Sequence, residues 1–107
     1  MKGGQVLMIE EGYGHWHIDY YNEELDFYTT AAGFYNDTGT WEVFFDEYET
    51  EELYKISGSN CNIDKDLGVL LFTAIDYNDA QEKFLRWVET VLIPYVKVNP
   101  DLKIKGT

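Results

Sequence analysis

From residue 3 to residue 54 the chain contains no lysine and no arginine. The same interval carries Glu10, Glu11, Asp19, Glu23, Glu24, Asp26, Asp37, Glu42, Asp46, Glu47, Glu49, Glu51 and Glu52. Beyond it acids and bases balance, so the first half accounts for the net charge of −12. A field of that sign repels nucleic acid and anionic membrane, and it attracts basic surfaces. Acidity also serves solubility, but interspersed charges would do so with less self-repulsion.

Cysteine is almost absent. Cys61 stands alone, so no intramolecular disulfide can staple the chain and a disulfide-rich secreted domain is excluded. In the polar surroundings of Ser59–Ile63 this thiol has no neighbouring histidine to activate it, and it reads as tolerated rather than nucleophilic. Long apolar runs are missing too. Nothing approaches the ~18 residues of a transmembrane helix, and the run around Val6–Ile9 is shorter than a signal-peptide core. A cytoplasmic protein is expected. Phosphate-binding loops, dinucleotide fingerprints and nucleophile elbows are all lacking, and Gly12-x-Gly14 has no third glycine.

What is present is a folding chain. At 107 residues, 45% hydrophobic and 17% aromatic, it is too apolar for an acidic disordered tail and suits one compact domain, 1–107. Gln5–Glu10 reads as a strand, and His15–Tyr21 alternates with Trp16, Ile18 and Tyr20 on one side. Phe27–Tyr35 is a third strand, with a bend expected at Gly33. Asn36–Thr40 holds hairpin-turn chemistry, and Trp41–Tyr48 is the return strand. Glu49–Glu52 reads as a turn or a single helical turn, and Leu53–Ser57 as a fifth strand or a helix. Gly58–Gly68 reads as loop, and the apolar run Val69–Asp76 as a central strand buried on both faces.

A helix follows, capped by Asn78 or Asp79. Ala80, Phe84, Trp87, Val88, Val91, Leu92 and Tyr95 lie on one stripe of it. Pro94 should end or kink it near Ile93, leaving a short strand or frayed tail. The expected fold is α+β: an antiparallel meander of five to six strands packed against one C-terminal amphipathic helix. One helix leaves one sheet face uncovered.

Three constellations could carry function. His15, His17 and Asp19 share a strand face and could begin a metal site, but these are the only two histidines and any site would need carboxylates from elsewhere. No metal and no cofactor is therefore assigned. The second constellation is the excess of tyrosine. Nine tyrosines exceed what so small a core can satisfy, so Tyr13, Tyr21, Tyr28, Tyr48 and Tyr54 should be partly exposed, where tyrosine favours protein contacts.

The third is the acid clustering. The expected partner surface comprises Glu23, Glu24, Asp26, Glu42, Asp46, Glu47, Tyr48, Glu49, Glu51, Glu52 and Tyr54. It suits a non-enzymatic inhibitor that occupies the basic nucleic-acid-binding site of a nuclease or other DNA- or RNA-binding protein. Phage anti-defence proteins, such as anti-CRISPR and anti-restriction proteins, work in that way. The chain should act as a monomer or small homodimer, without touching nucleic acid or membrane. An immunity protein against a nuclease toxin needs the same surface. A small metal-dependent enzyme or an assembly subunit are the other readings.

Overall fold

The alternation of His15–Asn22 (β2) places Ile18 and Tyr20 in the fully buried core, while Tyr21 is exposed. β2 is flanked by Gln5–Gly12 (β1) and Phe27–Tyr35 (β3), and Trp41–Phe45 (β4) adds to β3. Ile63–Asp64 (β5) and Gly68–Ala74 (β6) complete a six-stranded sheet of order β1-β2-β3-β4-β6-β5, antiparallel at every pairing. Helix α1 spans Thr50–Ser57 and helix α2 Tyr77–Trp87. A π-helical segment, Val88–Leu92, leads into α3, Ile93–Val98. The structure, a computed structural model, describes residues 3–58 and 62–102. Cys61 and the last five residues lie outside them. Among the described residues no helix is long and apolar enough to cross a membrane.

The α+β expectation holds, with several differences in detail. Leu53–Ser57, open between strand and helix in the sequence, is helix. Leu53 and Ile56, one helical turn apart, are the residues that α1 buries, and Glu51 and Glu52 sit in its first turn, where a helix favours negative charge. β4 stops at Phe45, so Asp46–Tyr48 belongs to the connection into α1. β6 is not central. It pairs with β4 on one side and with only the two residues of β5 on the other, and Leu70, Leu71 and Phe72 stay partly accessible. β3 runs through Gly33 in continuous register with both neighbours, beside the Trp16 and Trp41 rings, which lie 6.0 Å apart.

The helix cap is Asp76, two or three residues earlier than expected: its Oδ1 accepts the Asp79 N–H at 2.8 Å. Pro94 does not end the helix. A proline removes one intrahelical hydrogen bond and collides with the carbonyl four residues back. Here the preceding turn widens, and the Ile93 N–H reaches the Val88 carbonyl, five residues back. The widening lets the helix continue to Val98, where a strand or frayed tail was expected.

Ala80, Phe84, Val88 and Leu92 form the fully buried line of the helix. They press on Ile18, Tyr20, Val43, Phe45 and Val69 of the sheet, with Trp87 5.0 Å from Phe45. Burying the Phe, Leu, Ile and Val side chains among them contributes about 1.5–3 kcal/mol each. α1 lies on the same face, tied to α3 by the Tyr95 hydroxyl donating to Glu52 Oε2 at 2.8 Å. All the helical mass therefore covers one side of the sheet.

Candidate functional site

On the opposite face, cross-strand register decides which side chains meet. Leu7 and Ile9 of β1 stand opposite Asp19 and His17 of β2. In turn Asp19, His17 and Tyr21 stand opposite Thr30, Ala32 and Tyr28 of β3. Farther along, Ala32 faces Phe44 and Phe34 faces Glu42. Leu7 is 60% exposed, Tyr28 55% and Tyr21 44%.

A polar chain runs across this face. His17 engages the Glu11 carboxylate through Nδ1, and its Nε2 lies 3.3 Å from Asp19 Oδ2. The Thr30 hydroxyl donates to Asp19 Oδ1 at 2.8 Å. The Thr30 amide donates to Glu47 Oε1 at 3.1 Å. That last bond follows from the early end of β4. No β4 carbonyl is paired beyond Phe44–Ala32 on this side, so the Glu47 carboxylate takes the amide instead. Its cost is partial desolvation. Burial pushes the Glu47 carboxyl above the ordinary 4.5, against the lowering effect of the Thr30 N–H, and the charges of Asp46 and Asp19 push the same way. Tyr28 lies beside the same carboxylates. Partial burial, then Asp19 and Glu47, raise its hydroxyl above the ordinary 10.0.

His15 and His17 share the strand face, as expected, but they do not converge. His15 stacks on Phe34 at 4.5 Å, while His17 is held by its two carboxylates. Among the described residues no group of three or more His, Cys, Asp or Glu side chains is arranged to hold a metal ion.

The topology brings a second set of acids to one end of the sheet. β4 is antiparallel to β3, so its exit lies at the same end as the β2–β3 turn. Glu23, Glu24 and Asp26 are exposed in that turn; Asp46 and Glu49 are exposed in the β4–α1 connection. The β5–β6 turn reaches the same end, where Asp46, Asp64, Asp66 and Lys65 line a depression of about 200 Å³. The turn is anchored from below. Asn22 Oδ1 accepts the Leu25 N–H, Asn22 Nδ2 donates to the Tyr20 hydroxyl, and that hydroxyl donates to Glu89 Oε2 on the π-helical segment.

Not every residue expected at the partner surface is available there. Tyr48 is only 3% exposed. Because the chain leaves the sheet at Phe45, this ring turns inward against Phe45, 5.8 Å away, and belongs to the core. Glu47 is half-buried on the uncovered face. Glu52 is engaged by Tyr95 and by Lys55, 3.4 Å away. Glu51 and Tyr54 are exposed on α1, and Glu42 is half-exposed on the uncovered face. Residues that sequence reasoning did not select are Glu11, Thr30, Asp64 and Asp66. Only the alternation of β3, which puts Tyr28 and Thr30 on one side, offered a signal for one of them.

Fold and surface define a class: a small α+β domain whose helices cover one sheet face and leave the other, carrying carboxylates and tyrosines, open. The chain belongs to the family described as protein of unknown function (DUF3986), whose model matches residues 11–91. That span includes the Glu11–His17–Asp19–Thr30–Glu47 chain and both acidic connections. No curated protein and no solved structure matched the chain.

Proposed function

We propose that this domain is a protein-binding module that docks its acidic end onto a basic surface. The surface we assign to the partner is the nucleic-acid-binding site of a nuclease or another DNA- or RNA-binding protein, so that docking inhibits it. One observation carries the reading: exposed acids from two separate connections, Glu23–Asp26 and Asp46–Glu49, share one end of the sheet, and no lysine or arginine occurs from residue 3 to residue 54. A single strand offers one carboxylate per ~6.8 Å on a face, whereas duplex DNA carries a charge per ~1.7 Å of axis. Several connections converging on one end raise the local density beyond what one strand provides. Clustered charge of this kind steers encounter and selects partners more than it adds affinity. Anti-defence and immunity roles are both compatible with this surface.

The test is capture of partners from a host lysate by the tagged domain, washed in parallel at low and high salt. Exposed charges are screened within about 10 Å at 0.1 M salt, so the reading expects a basic nucleic-acid-binding protein that is lost at high salt. The matched variant carries Glu23, Asp26, Asp46 and Glu49 to Lys. These four are exposed, so the fold should survive, which circular dichroism checks. Reversing Glu47 or Glu52 instead would break the bonds to Thr30 and Tyr95 and confuse binding with stability. Full capture by the exposed-acid variant, or capture indifferent to salt, would overturn the proposal.

A further inference from the structure

The uncovered sheet face has a composition of its own. Tyr21 and Tyr28 are directly opposed on β2 and β3 and both are exposed. Two residues along each strand stand Asp19 and Thr30, also directly opposed. Glu47 reaches in from the β4–α1 connection to the Thr30 amide. Opposed Cβ atoms lie about 5 Å apart and same-face neighbours ~6.8 Å along a strand. The two rings and two carboxylates therefore fall within the reach of one side chain. Of the two carboxylates, Asp19 has the Thr30 hydroxyl on Oδ1 and His17 beside Oδ2, each oxygen keeping a lone pair for a further donor, and the ion pairs of the described residues bring no lysine or arginine to either.

Resting on the basic-partner reading above, we propose that an arginine of the docking partner seats here. Its guanidinium lies between Asp19 and Glu47 and against the Tyr21–Tyr28 pair. The chemistry selects the occupant. An anion would meet Glu11, Asp19, Glu42 and Glu47 on the same face. A second copy of the chain would bring the same acids, at a net charge of −12 each. A lysine ammonium matches the charge but is a compact point donor. A guanidinium is planar, presents a fork of donors to two carboxylates and stacks on aromatic rings. Partial desolvation of Glu47 strengthens such a pair, because the carboxylate has already lost part of its water before the cation arrives.

The experiment uses the intact chain, isotope-labelled, titrated with capped (Gly-Arg)4-Gly and followed by amide chemical shifts. The matched lysine and citrulline peptides serve as comparisons. The expected result is saturable shifts centred on Asp19, Tyr21, Tyr28, Thr30 and Glu47, at least about threefold weaker binding of the lysine peptide and none of the citrulline peptide. Glu47→Gln keeps an acceptor for the Thr30 amide, and Tyr28→Ala removes an exposed ring. Each should weaken the arginine peptide about three- to tenfold. The Glu23, Asp26, Asp46 and Glu49 to Lys variant should retain the shifts on the uncovered face. Shifts confined to residues 23–26, Asp46 and Glu49, with arginine and lysine equal, would overturn the seat and leave the acidic-end reading standing. Shifts on the face with no salt-sensitive capture from lysate would overturn the function and leave a bare arginine site. No shifts anywhere would overturn the seat.

Discussion

The two faces of one sheet differ in how they are stabilised. On the helix side, Ile18, Tyr20, Val43, Phe45, Val69, Phe84, Val88 and Leu92 are excluded from water. On the other side Leu7, Tyr21 and Tyr28 stay in solvent, the His15, Phe34 and Phe44 rings pack together, and a polar chain links Glu11 to His17, His17 to Asp19, Asp19 to Thr30 and Thr30 to Glu47. The first face holds the molecule together. The second places charge and exposed rings at fixed positions on the sheet. A sheet with one covered face can do both, because alternate side chains along each strand answer to different demands.

The comparison is tested most severely by Phe84→Ala, which opens a cavity on the covered face. It should lose about 3–5 kcal/mol of stability in denaturant unfolding, and a loss under about 1 kcal/mol would mean that the face is loosely packed. Next is Tyr20→Phe. It leaves Asn22 Nδ2, a buried donor, without the acceptor it uses, and should cost about 1–3 kcal/mol. It should also loosen the 22–26 turn, read as faster amide exchange at Leu25.

On the open face the sign reverses. Glu47 is raised by burial, so the folded state binds its proton more tightly than the unfolded state does. Its contribution is fully present below the ordinary 4.5 and is lost as pH rises through the raised value. Glu47→Gln should therefore raise Tm at pH 7, with the difference from the wild type shrinking as pH falls towards 4. A lower Tm at pH 7 would show that the ionised carboxylate stabilises the β4–α1 connection after all. The smallest effect belongs to Leu7→Ala, within about 0.5 kcal/mol. A larger loss would mean that this face is covered in solution.

Much of the covered face was legible along the chain. The alternation of His15–Tyr21 and the stripe from Ala80 to Tyr95 report periods of two and 3.6, which are properties of the backbone itself. The misreadings fall where period is ambiguous or geometry intervenes. Leu53–Ser57 could be read as strand or helix, and the burial of Leu53 and Ile56 alone, at helical spacing, decides for helix. The run Val69–Asp76 is apolar enough to be central, yet a bulge shifts its register between the pairs Val43–Phe72 and Phe44–Leu70, and only β5 lies beyond it. Pro94 signals an end or a kink, and the helix is distorted there without ending, because a wider turn before it absorbs the lost bond.

The candidate surface was legible in part. The charge count marked Glu23–Asp26 and Asp46–Glu49, and composition marked the surplus tyrosines. The Glu11–His17 contact was not accessible to pattern, because it depends on an irregularity in the β1–β2 register between Glu10 and Gly12. Nor was the inward turn of Tyr48, which depends on where β4 stops.

By itself the sequence determined the elements that obey local periodicity, the sign of the field, and the existence of an uncovered sheet face, since these follow from side-chain spacing and charge counted along the chain. The tertiary structure alone decided which acids stand together. Residues 23 and 49 come to one end of the sheet, and Asp19 and Glu47 meet at Thr30, because antiparallel pairing joins positions far apart in the chain and no local spacing encodes that pairing.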